Sequence, residues 1–539
     1  MKDLSELLQK LKLDAEQTKT LDFNVADSII TALQSKQDPF DDTTIEGILE
    51  MILVLLAIDH TPRNKAKVLM LIAEIAKSEE TRVPCVKAGL ISTLLLYLES
   101  EDLGVVLQAL RAIGNISCEN EQAKSVLLEC QGAEKIVKKL GDLEKNFDEK
   151  SDNRIELAAC GSLLNVASDD GALADEAVSF GAISFLFGFV KQSVHSNPNL
   201  CQMALSALSV LVSSDKGKES FLEGEGVAIL RMVLEESDDD ELIDLGFEII
   251  TSLILDDNVK KALVKQGYTE YLLKVVSSLK DDKNDELAKQ RVQSSADIIV
   301  MLLTEDENCI KLVEIGAHEK LLDLLARTSR SEDPGRHQQA VFSALKNLSM
   351  PASNKVKLVE SGCLDVILPL LSTSPFVQFK VLGTVRMLLM GQADVANKIA
   401  ESIEHMQTLV RCCQSSGHEG VKSEASRILA LIVKQSRAGE ISEQIIKFGA
   451  EFYPKFRDSG LIQTLIKLIK TQGINPQTCY NAMAVLESFS LKEYFHRDLE
   501  VAGLNKALDD LTSHDNVNVK KRALIILTRI KAQTIAQQD

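Results

Sequence analysis

The sequence predicts an all-α protein, built as an α-solenoid with a right-handed superhelix of about ten helical repeats. Three observations lead to this prediction. The chain has 539 residues, whereas one compact core usually stops growing near ~250–300 residues. Its 10 Pro and 27 Gly are few for an all-β protein of this length, and aromatic residues make up only 4% with no Trp. An apolar phrase also recurs along the chain at a nearly constant spacing.

The recurring phrase is a glycine followed by apolar residues at helical spacing and a Leu-rich end. It begins at Gly89, Gly132, Gly181, Gly226, Gly267, Gly316, Gly362, Gly460 and Gly503. The spacing is 41 to 49 residues, except for one gap of 98 that fits two repeats, with IAESIEHMQTLVRCC as a copy without glycine. A period of ~40–47 with two or three helices per unit is typical of armadillo and HEAT repeats. We interpret each glycine as the turn that enters the last and longest helix of its repeat.

A second phrase, similar to A-L-x-N-L, lies between the glycines. It places Asn115, Asn165 and Asn347 at corresponding positions. In an armadillo array the last helices of the repeats line one concave groove, and we predict that these asparagines face it. Their amides can bind an extended partner backbone or bridge to the adjacent repeat, and the sequence leaves both alternatives open.

The sequence predicts a single repeat array over residues 1–539. We divide it into N-terminal capping helices (1–60), central armadillo repeats (61–435), an atypical aromatic-containing insertion (436–460) and C-terminal repeats with a cap (461–539). Both ends are polar on one face, as expected of capping helices. Charged segments at 147–156, 279–290 and 327–339 are predicted to be surface loops.

No motif for catalysis or nucleotide binding occurs, whether a P-loop, a dinucleotide fingerprint, a nucleophile elbow or H-E-x-x-H. None of the ten cysteines forms a C-x-x-C pair, and we predict that they are small buried apolar residues in a reducing compartment. Cys412 and Cys413 near His405 and His418 come closest to a metal group, but adjacent residues on a helix point in different directions. We therefore predict no enzyme active site, no metal and no cofactor.

The N-terminus is amphipathic and charged throughout, unlike a signal peptide. No run of ~18 uncharged apolar residues suggests a transmembrane segment. We expect a soluble cytoplasmic protein, with the nucleus as an additional location.

The formal net charge is −19, which argues against nucleic acid as the main partner. From Glu223 to Glu286 there are 17 acidic and 7 basic residues, net −10. Glu241, Asp244 and Glu248 share one helix face, where like charges cost stability that a basic ligand would restore. For residues 238–240 a solvated helix start is the alternative, because negative charge is favourable there.

Three segments resemble the smgGDS family of small-GTPase GDP-dissociation stimulators, which are armadillo proteins. They are IAEIAKSEETRVPCVKAGLIS (72–92), SALKNLSMPASNKVKL (343–358) and FVQFKVLGTVRMLLM (376–390), with weaker similarity at 417–433. The chain looks like a divergent member. The resemblance implies binding of Ras-superfamily GTPases, notably of the Rho and Rap groups with basic, prenylated tails, and promotion of GDP release.

The resemblance also implies two binding surfaces. The tail-binding residues would be Asp239, Asp240, Glu241, Asp244 and Glu248, and the residues for the GTPase body would be Ser343, Lys346, Asn347, Gln378 and Arg386. The chain departs from the family at Met301, where the family carries an Asn, and is shorter by a repeat there. This departure bears on exchange strength more than on GTPase binding.

The leading hypothesis is a GTPase regulator that promotes GDP release, or chaperones the nucleotide-free or prenylated GTPase, without catalytic residues of its own. It would act by binding the nucleotide-free state better than the GDP-bound state. An alternative is an importin-α-like adaptor for basic peptides without exchange activity, but such a groove needs Trp–Asn pairs and this chain has no Trp. A scaffold without GTPase preference is a third hypothesis, and an enzyme is the class least supported by the residues.

Overall fold

The computed structural model describes residues 42–56, 61–148, 151–278, 286–328, 336–372, 374–414, 418–435, 456–490 and 493–536, with isolated positions before them. Every regular element in these ranges is a helix, and no strand occurs among them. The prediction of an all-α solenoid is confirmed. Of the predicted capping region (1–60), the structure describes 42–56 and a few isolated positions before them. Most of the loops at 279–290 and 327–339, and residues 436–455 of the atypical insertion, lie outside the described residues.

The chain divides into two compact units, Met1–Gln266 and Gly267–Asp539. Unit 1 contains α1 (Asp42–Leu56), α2 (Pro62–Ile75), α3 (Glu79–Lys87), α4 (Leu90–Tyr97), α5 (Leu103–Ser117), α6 (Glu121–Glu129), α7 (Gly132–Lys145), α8 (Arg154–Ala167), α9 (Gly171–Ser179), α10 (Ala182–Ser193), α11 (Pro198–Leu211), α12 (Asp215–Glu223), α13 (Gly226–Glu236), α14 (Asp240–Leu253) and α15 (Asp257–Lys265). The predicted single array over 1–539 concerns how the two units join, and it stays a prediction.

Unit 2 continues the same succession of helices. It contains α16 (Tyr268–Ser278), α17 (Glu286–Leu302), α18 (Asp306–Glu314), α19 (Ala317–Thr328), α20 (Arg336–Leu348), α21 (Ala352–Glu360), α22 (Cys363–Ile367) with a 3-10 turn (Leu368–Ser372), α23 (Pro375–Leu389), α24 (Ala393–Glu401), α25 (Ile403–Gln414), α26 (Glu419–Gln435), α27 (Leu461–Lys470), α28 (Pro476–Ser490), α29 (Glu493–Val501), α30 (Leu504–Leu511) and α31 (Val517–Ala536).

A repeat consists of a nine-residue helix, a middle helix and a long helix. In the first complete repeat these are α3, α4 and α5, with 9, 8 and 15 residues. The repeat glycine enters the middle helix, so our interpretation that it enters the last and longest helix was wrong. The turn is needed where the nine-residue helix reverses onto the middle helix, whereas polar N-caps such as Asp102 begin the long helices.

The repeat glycine meets two different physical requirements. Gly89 has a φ of 75°, which a side chain rarely tolerates. At Gly132 the left-handed residue is instead the preceding Gln131, with a φ of 53°. Gly132 is needed for space, since a Cβ there would lie 2.4 Å from Leu127 Cδ2.

The long helices pack side by side within each unit and form what we call the long-helix face. In unit 1 they are α2, α5, α8, α11 and α14, and in unit 2 they are α17, α20, α23, α26, α28 and α31. The described residues thus contain eleven long helices, close to the predicted number of repeats. Their apolar sides are buried against the other helices of the repeats, which leaves the long-helix face polar.

Cationic side chains also connect the first and last helices of a repeat. In three cases a cation on a nine-residue helix donates to a carbonyl at the C-terminal end of the next long helix, where the helix dipole favours positive charge. These pairs are Arg82 with Cys118 O (2.9 Å), Lys124 with Ser168 O (2.6 Å) and Lys355 with Met390 O (2.6 Å).

Candidate functional site

The predicted tail-binding residues lie on α14 in unit 1. Asp239 is the N-cap of this helix, and its Oδ1 accepts hydrogen bonds from the backbone N–H groups of Glu241 (2.9 Å) and Leu242 (3.3 Å). Asp240 occupies the first turn and is exposed. Asp239 therefore has a structural role at the helix start, which is the alternative that the sequence left open for residues 238–240.

The remaining three carboxylates belong to the long-helix face of unit 1. Glu241 is exposed and accepts a hydrogen bond from Gln202 Nε2 on α11 at 3.1 Å. Asp244 is half-buried and Glu248 is exposed one turn further along α14. Neither Glu241 nor Glu248 forms an ion pair with a described residue. We call Glu241, Asp244 and Glu248, which share one face of α14, the acidic face.

The groove asparagines are bound within the chain. Each Nδ2 donates to a backbone carbonyl of the preceding long helix: Asn115 to Ala73 O (2.8 Å), Asn165 to Gly114 O (3.0 Å) and Asn347 to Val300 O (3.4 Å). Of the two alternatives for these amides, the structure shows the bridge between repeats. The bond of Asn347 is longer than the usual 2.7–3.2 Å range, so Asn347 is held less firmly than the other two.

The residues predicted to bind the GTPase body are divided between two adjacent long helices of unit 2. Ser343, Lys346 and Asn347 lie on α20, and Gln378 and Arg386 lie on α23, which packs against α20. Ser343 and Asn347 are one turn apart and share a face, and Lys346 is exposed. Gln378 Nε2 donates to Leu371 O at 2.9 Å, which holds this side chain to its own repeat.

Arg386 takes part in a shared ion pair. Its Nε donates to Glu424 Oε2 at 2.7 Å, and Arg427 Nη1 donates to Glu424 Oε1 at 2.9 Å. The Glu424 side chain is 12% exposed and that of Arg386 is 21% exposed. One buried carboxylate thus serves two guanidinium groups, and Arg386 links α23 to α26 as well as carrying positive charge.

A cavity of about 520 Å³ opens on the long-helix face of unit 2. Its lining comes from α17, α20 and α23: Gln293, Asp297, Val300, Met301, Gln339, Ala340, Ser343 and Lys380. Of the five residues predicted for the GTPase body, Ser343 alone lines the cavity. Met301 contributes a flexible apolar side chain to this lining.

Sequence reasoning missed Gln339 and Lys380 in this cavity. Gln339 could have been found, because it lies one helical turn before Ser343 on the same face. No spacing in the sequence indicates that Lys380 lines this cavity, since its position there depends on how α23 packs against α20. Its Nζ lies 5.8 Å from the ring centre of Phe376, and it forms no ion pair with a described residue.

The cysteines behave largely as predicted. Eight are buried, whereas Cys118 and Cys130 are half-buried. Burial raises the pKa of the Cys85 thiol to about 12, which suppresses its thiolate at neutral pH. Among the described residues no group of three or more His, Cys, Asp or Glu is arranged to hold a metal ion.

No single helix within the described ranges is long and apolar enough to cross a membrane. One pair, α9 and α10, meets the requirement by length and composition alone and is bent by 76°.

The fold defines the class to which this chain belongs, that of the armadillo-repeat proteins. A chain of the solved structure reported for the interaction between cadherin and beta-catenin matches it with a TM-score of 0.59 and 13% identity, covering 98% of this chain and 99% of that one. At this identity the likeness shows the fold alone.

Sequence similarity then relates the chain to particular proteins. Rap1 GTPase-GDP dissociation stimulators 1-B and 1-A of Xenopus laevis are each 27% identical over 617 aligned residues, covering 99% of this chain and 100% of each relative. GTPase-GDP dissociation stimulator vimar of Drosophila melanogaster is 26% identical over 501 residues, covering 83% of this chain and 77% of that protein. No protein-family model matches. The resemblance to the smgGDS family is confirmed, and it extends along the whole chain.

Proposed function

We propose that this protein binds small GTPases of the Ras superfamily and stimulates their release of GDP. The observation that carries the proposal is the similarity over 99% of the chain to two relatives named Rap1 GTPase-GDP dissociation stimulators. The acidic face and the exposed residues of α20 support it, because they offer surfaces of different chemistry for a basic tail and for a folded GTPase body.

In the proposed mechanism the protein supplies binding energy and no catalytic acid or base. The acidic face attracts the basic C-terminal tail of the GTPase, and α20 and α23 contact its body. GDP release follows if these contacts are stronger with the nucleotide-free GTPase than with the GDP-bound form, because that difference weakens GDP binding by the same factor. We further propose Rho- and Rap-like partners with polybasic, prenylated tails, chaperoning of their nucleotide-free or prenylated forms, and a cytoplasmic location.

An adaptor for basic peptides is the second candidate, and the acidic face is the observation that favours it. Such adaptors bind the peptide backbone through groove asparagines. Here the amides of Asn115 and Asn165 already donate to backbone carbonyls at 2.8 and 3.0 Å. A peptide would have to displace these bonds, so we place the adaptor second.

Release of fluorescent mant-GDP tests the proposal. The full-length protein is mixed with Rap1 and with Rho, Ras and Ran proteins, each carrying its C-terminal tail, and release is followed after excess GDP is added. We expect faster release from at least one Rap- or Rho-type GTPase, and stronger capture of its nucleotide-free form than of its GTP-loaded form. Unchanged release across the panel, with equal capture of both forms, would leave the scaffold hypothesis instead.

Lys346 allows the α20 surface to be tested without disturbing the fold. It is exposed and forms no ion pair with a described residue, unlike Arg386. We expect Lys346→Glu to slow GDP release, while the matched variant Lys357→Glu, at an exposed site on α21, leaves release unchanged. Equal activity of both variants would exclude this part of α20 from the contact.

A further inference from the structure

The composition of helix α31 is opposite to that of the whole chain. Between Val517 and Ala536 there are five cationic residues and no acidic residue, in a protein with a net charge of −19. The cations are Lys520, Lys521, Arg522, Arg529 and Lys531. An acidic protein that only needed solubility would have no reason to concentrate positive charge on one helix.

One half of α31 is covered by the protein and the other half is exposed. Val519, Ala523, Ile526 and Leu527 are buried, and α31 packs against α28 and α30. On the opposite half three aliphatic side chains are exposed: Val517 (61%), Leu524 (44%) and Ile525 (50%). A helix surface that faces solvent is normally polar, so a group of exposed aliphatic residues here needs an explanation.

The lysines lie beside and between these aliphatic side chains. At 100° per residue, the centre of the exposed half lies at Lys521, with Val517 and Leu524 on one side of it and Ile525 on the other. Lys531 and Lys520 lie beyond Leu524. All three lysines are exposed. The helix itself has no carboxylate, and exposed Asp515 lies two residues before Val517.

The cations of α31 have two separate roles. Arg522 Nη2 donates to Glu487 Oε2 at 2.6 Å, and Arg529 donates to the other oxygen of the same carboxylate. These arginines are therefore partly neutralised by α28. Lys520, Lys521 and Lys531 form no ion pair with a described residue, so their charge remains available to an external partner.

We propose that Val517, Lys520, Lys521, Leu524, Ile525 and Lys531, which we call the α31 surface, bind an anionic lipid bilayer. The helix would lie in the plane of the membrane surface. Its aliphatic side chains would enter the boundary between headgroups and acyl chains, and the lysines beside and between them would extend to the anionic headgroups. An acidic protein is a poorer fit, because the surface has no aromatic or arginine anchor of the kind that dominates protein interfaces.

Binding of the full-length protein to vesicles tests this assignment. The probes are vesicles of phosphatidylcholine alone and of phosphatidylcholine with about one-third phosphatidylserine, an anionic lipid. We expect partitioning onto the anionic vesicles alone, weakening as salt rises. Lys520→Glu/Lys521→Glu/Lys531→Glu should reduce it about a hundredfold or more, at about fivefold per lysine. Leu524→Ser/Ile525→Ser should reduce it while all charges remain.

Matched variants on other exposed sites serve as controls. Lys138→Glu/Lys261→Glu/Lys265→Glu has the same change in charge, and Leu96→Ser/Leu255→Ser removes two leucines that are 66% and 75% exposed. Both should bind anionic vesicles as the unchanged protein does, and all variants should keep their helical circular dichroism.

Equal partitioning onto the two vesicle types would overturn the proposal, as would control variants as weak as the α31 variants. If poly-L-glutamate competes with the vesicles and Leu524→Ser/Ile525→Ser still binds them fully, the surface is a site for acidic protein segments and the lipid assignment is wrong. A GTPase is absent from every arm, so the outcome is independent of the proposed exchange activity.

Discussion

At the scale of single residues, the polar side chains of the long helices first hold neighbouring repeats together. The three groove asparagines donate to carbonyls of the preceding long helix, and Glu424 joins α23 to α26 through Arg386. A residue with such an internal role can still contact a partner, but its substitution affects folding and binding together. Variants at these positions must therefore be compared by stability before binding data are interpreted.

Asn115 and Asn347 should differ in their contribution to stability. The Asn115 bond of 2.8 Å is short and the Asn347 bond of 3.4 Å is long. We expect Asn115→Ala to cost ~1–2 kcal/mol and Asn347→Ala less than ~1 kcal/mol, since a lost hydrogen bond costs more when its geometry is good. Urea unfolding measures both. A larger loss for Asn347→Ala would mean that this amide is chiefly structural, whereas reduced GTPase binding by a stable Asn347→Ala protein would support a direct contact.

Cysteine reactivity should follow burial. Burial raises the pKa of the Cys201 and Cys363 thiols to about 12, so almost no thiolate forms there at neutral pH. We expect iodoacetamide to modify Cys118 and Cys130 first in the folded protein, with the other eight reacting only after denaturation. Mass spectrometry of peptides after short labelling gives the order. Early labelling of Cys201 or Cys363 would show that their repeats open in the native state.

At the scale of one helix, α14 shows how a single acidic run serves two purposes. Asp239 accepts two backbone hydrogen bonds at the helix N-terminus, where four N–H groups would otherwise lack partners. Glu241, Asp244 and Glu248 follow on the long-helix face. A test of the binding role must therefore leave Asp239 intact, because replacing an N-cap costs about 1 kcal/mol by itself.

Reversing the acidic face should weaken binding of a GTPase with a polybasic tail. We expect Glu241→Lys/Asp244→Lys/Glu248→Lys to reduce the affinity for this GTPase at least about tenfold at low salt, because attraction between the acidic face and the basic tail is replaced by repulsion. The difference in affinity between the variant and the unchanged protein should shrink as salt screens the charges. Calorimetry with full-length and tail-deleted GTPase measures it.

A second triple variant controls for net charge. Glu99→Lys/Glu101→Lys/Glu219→Lys makes the same change at other exposed sites of unit 1 and should bind normally. If the tail-deleted GTPase binds the unchanged protein as tightly as the full-length GTPase does, the acidic face has no part in tail binding.

At the scale of the whole molecule, stability is built from contacts between neighbouring repeats. Within each unit consecutive long helices pack against each other, which joins adjacent repeats, and the cation-to-carbonyl bonds join the first and last helices of single repeats. Such stacks lose stability in steps when repeats are removed, because no distant contact is broken.

Truncation after Glu440 should therefore leave a folded protein. This cut follows α26, the end of a repeat, and removes α27 to α31. We expect the 1–440 fragment to keep helical circular dichroism in proportion to its length and to melt cooperatively. A cut after Ala425, within α26, should give a less stable fragment, since it removes half of a long helix. Loss of helical signal from the 1–440 fragment would be incompatible with a repeat stack.

Much of the fold could be predicted from the sequence, because repeated apolar spacing and repeated turns are local properties. The period of the glycines indicated the solenoid, and the spacing of Glu241, Asp244 and Glu248 placed them on one helix face. The same local patterns misled us about which helix each glycine enters, since a turn signal marks a reversal without fixing the lengths of the helices on either side.

By itself the sequence determined the all-α repeat class, the buried character of most cysteines and the resemblance to GDP dissociation stimulators. The tertiary structure alone decided what the functional candidates touch: Asn347 bonds to Val300, Arg386 shares Glu424 with Arg427, and Lys380 enters a cavity between three helices. It also decided that the aliphatic residues of α31 remain exposed. The physical reason is that helix periodicity fixes which side chains share a face, whereas the partner of that face depends on packing between repeats about 45 residues apart.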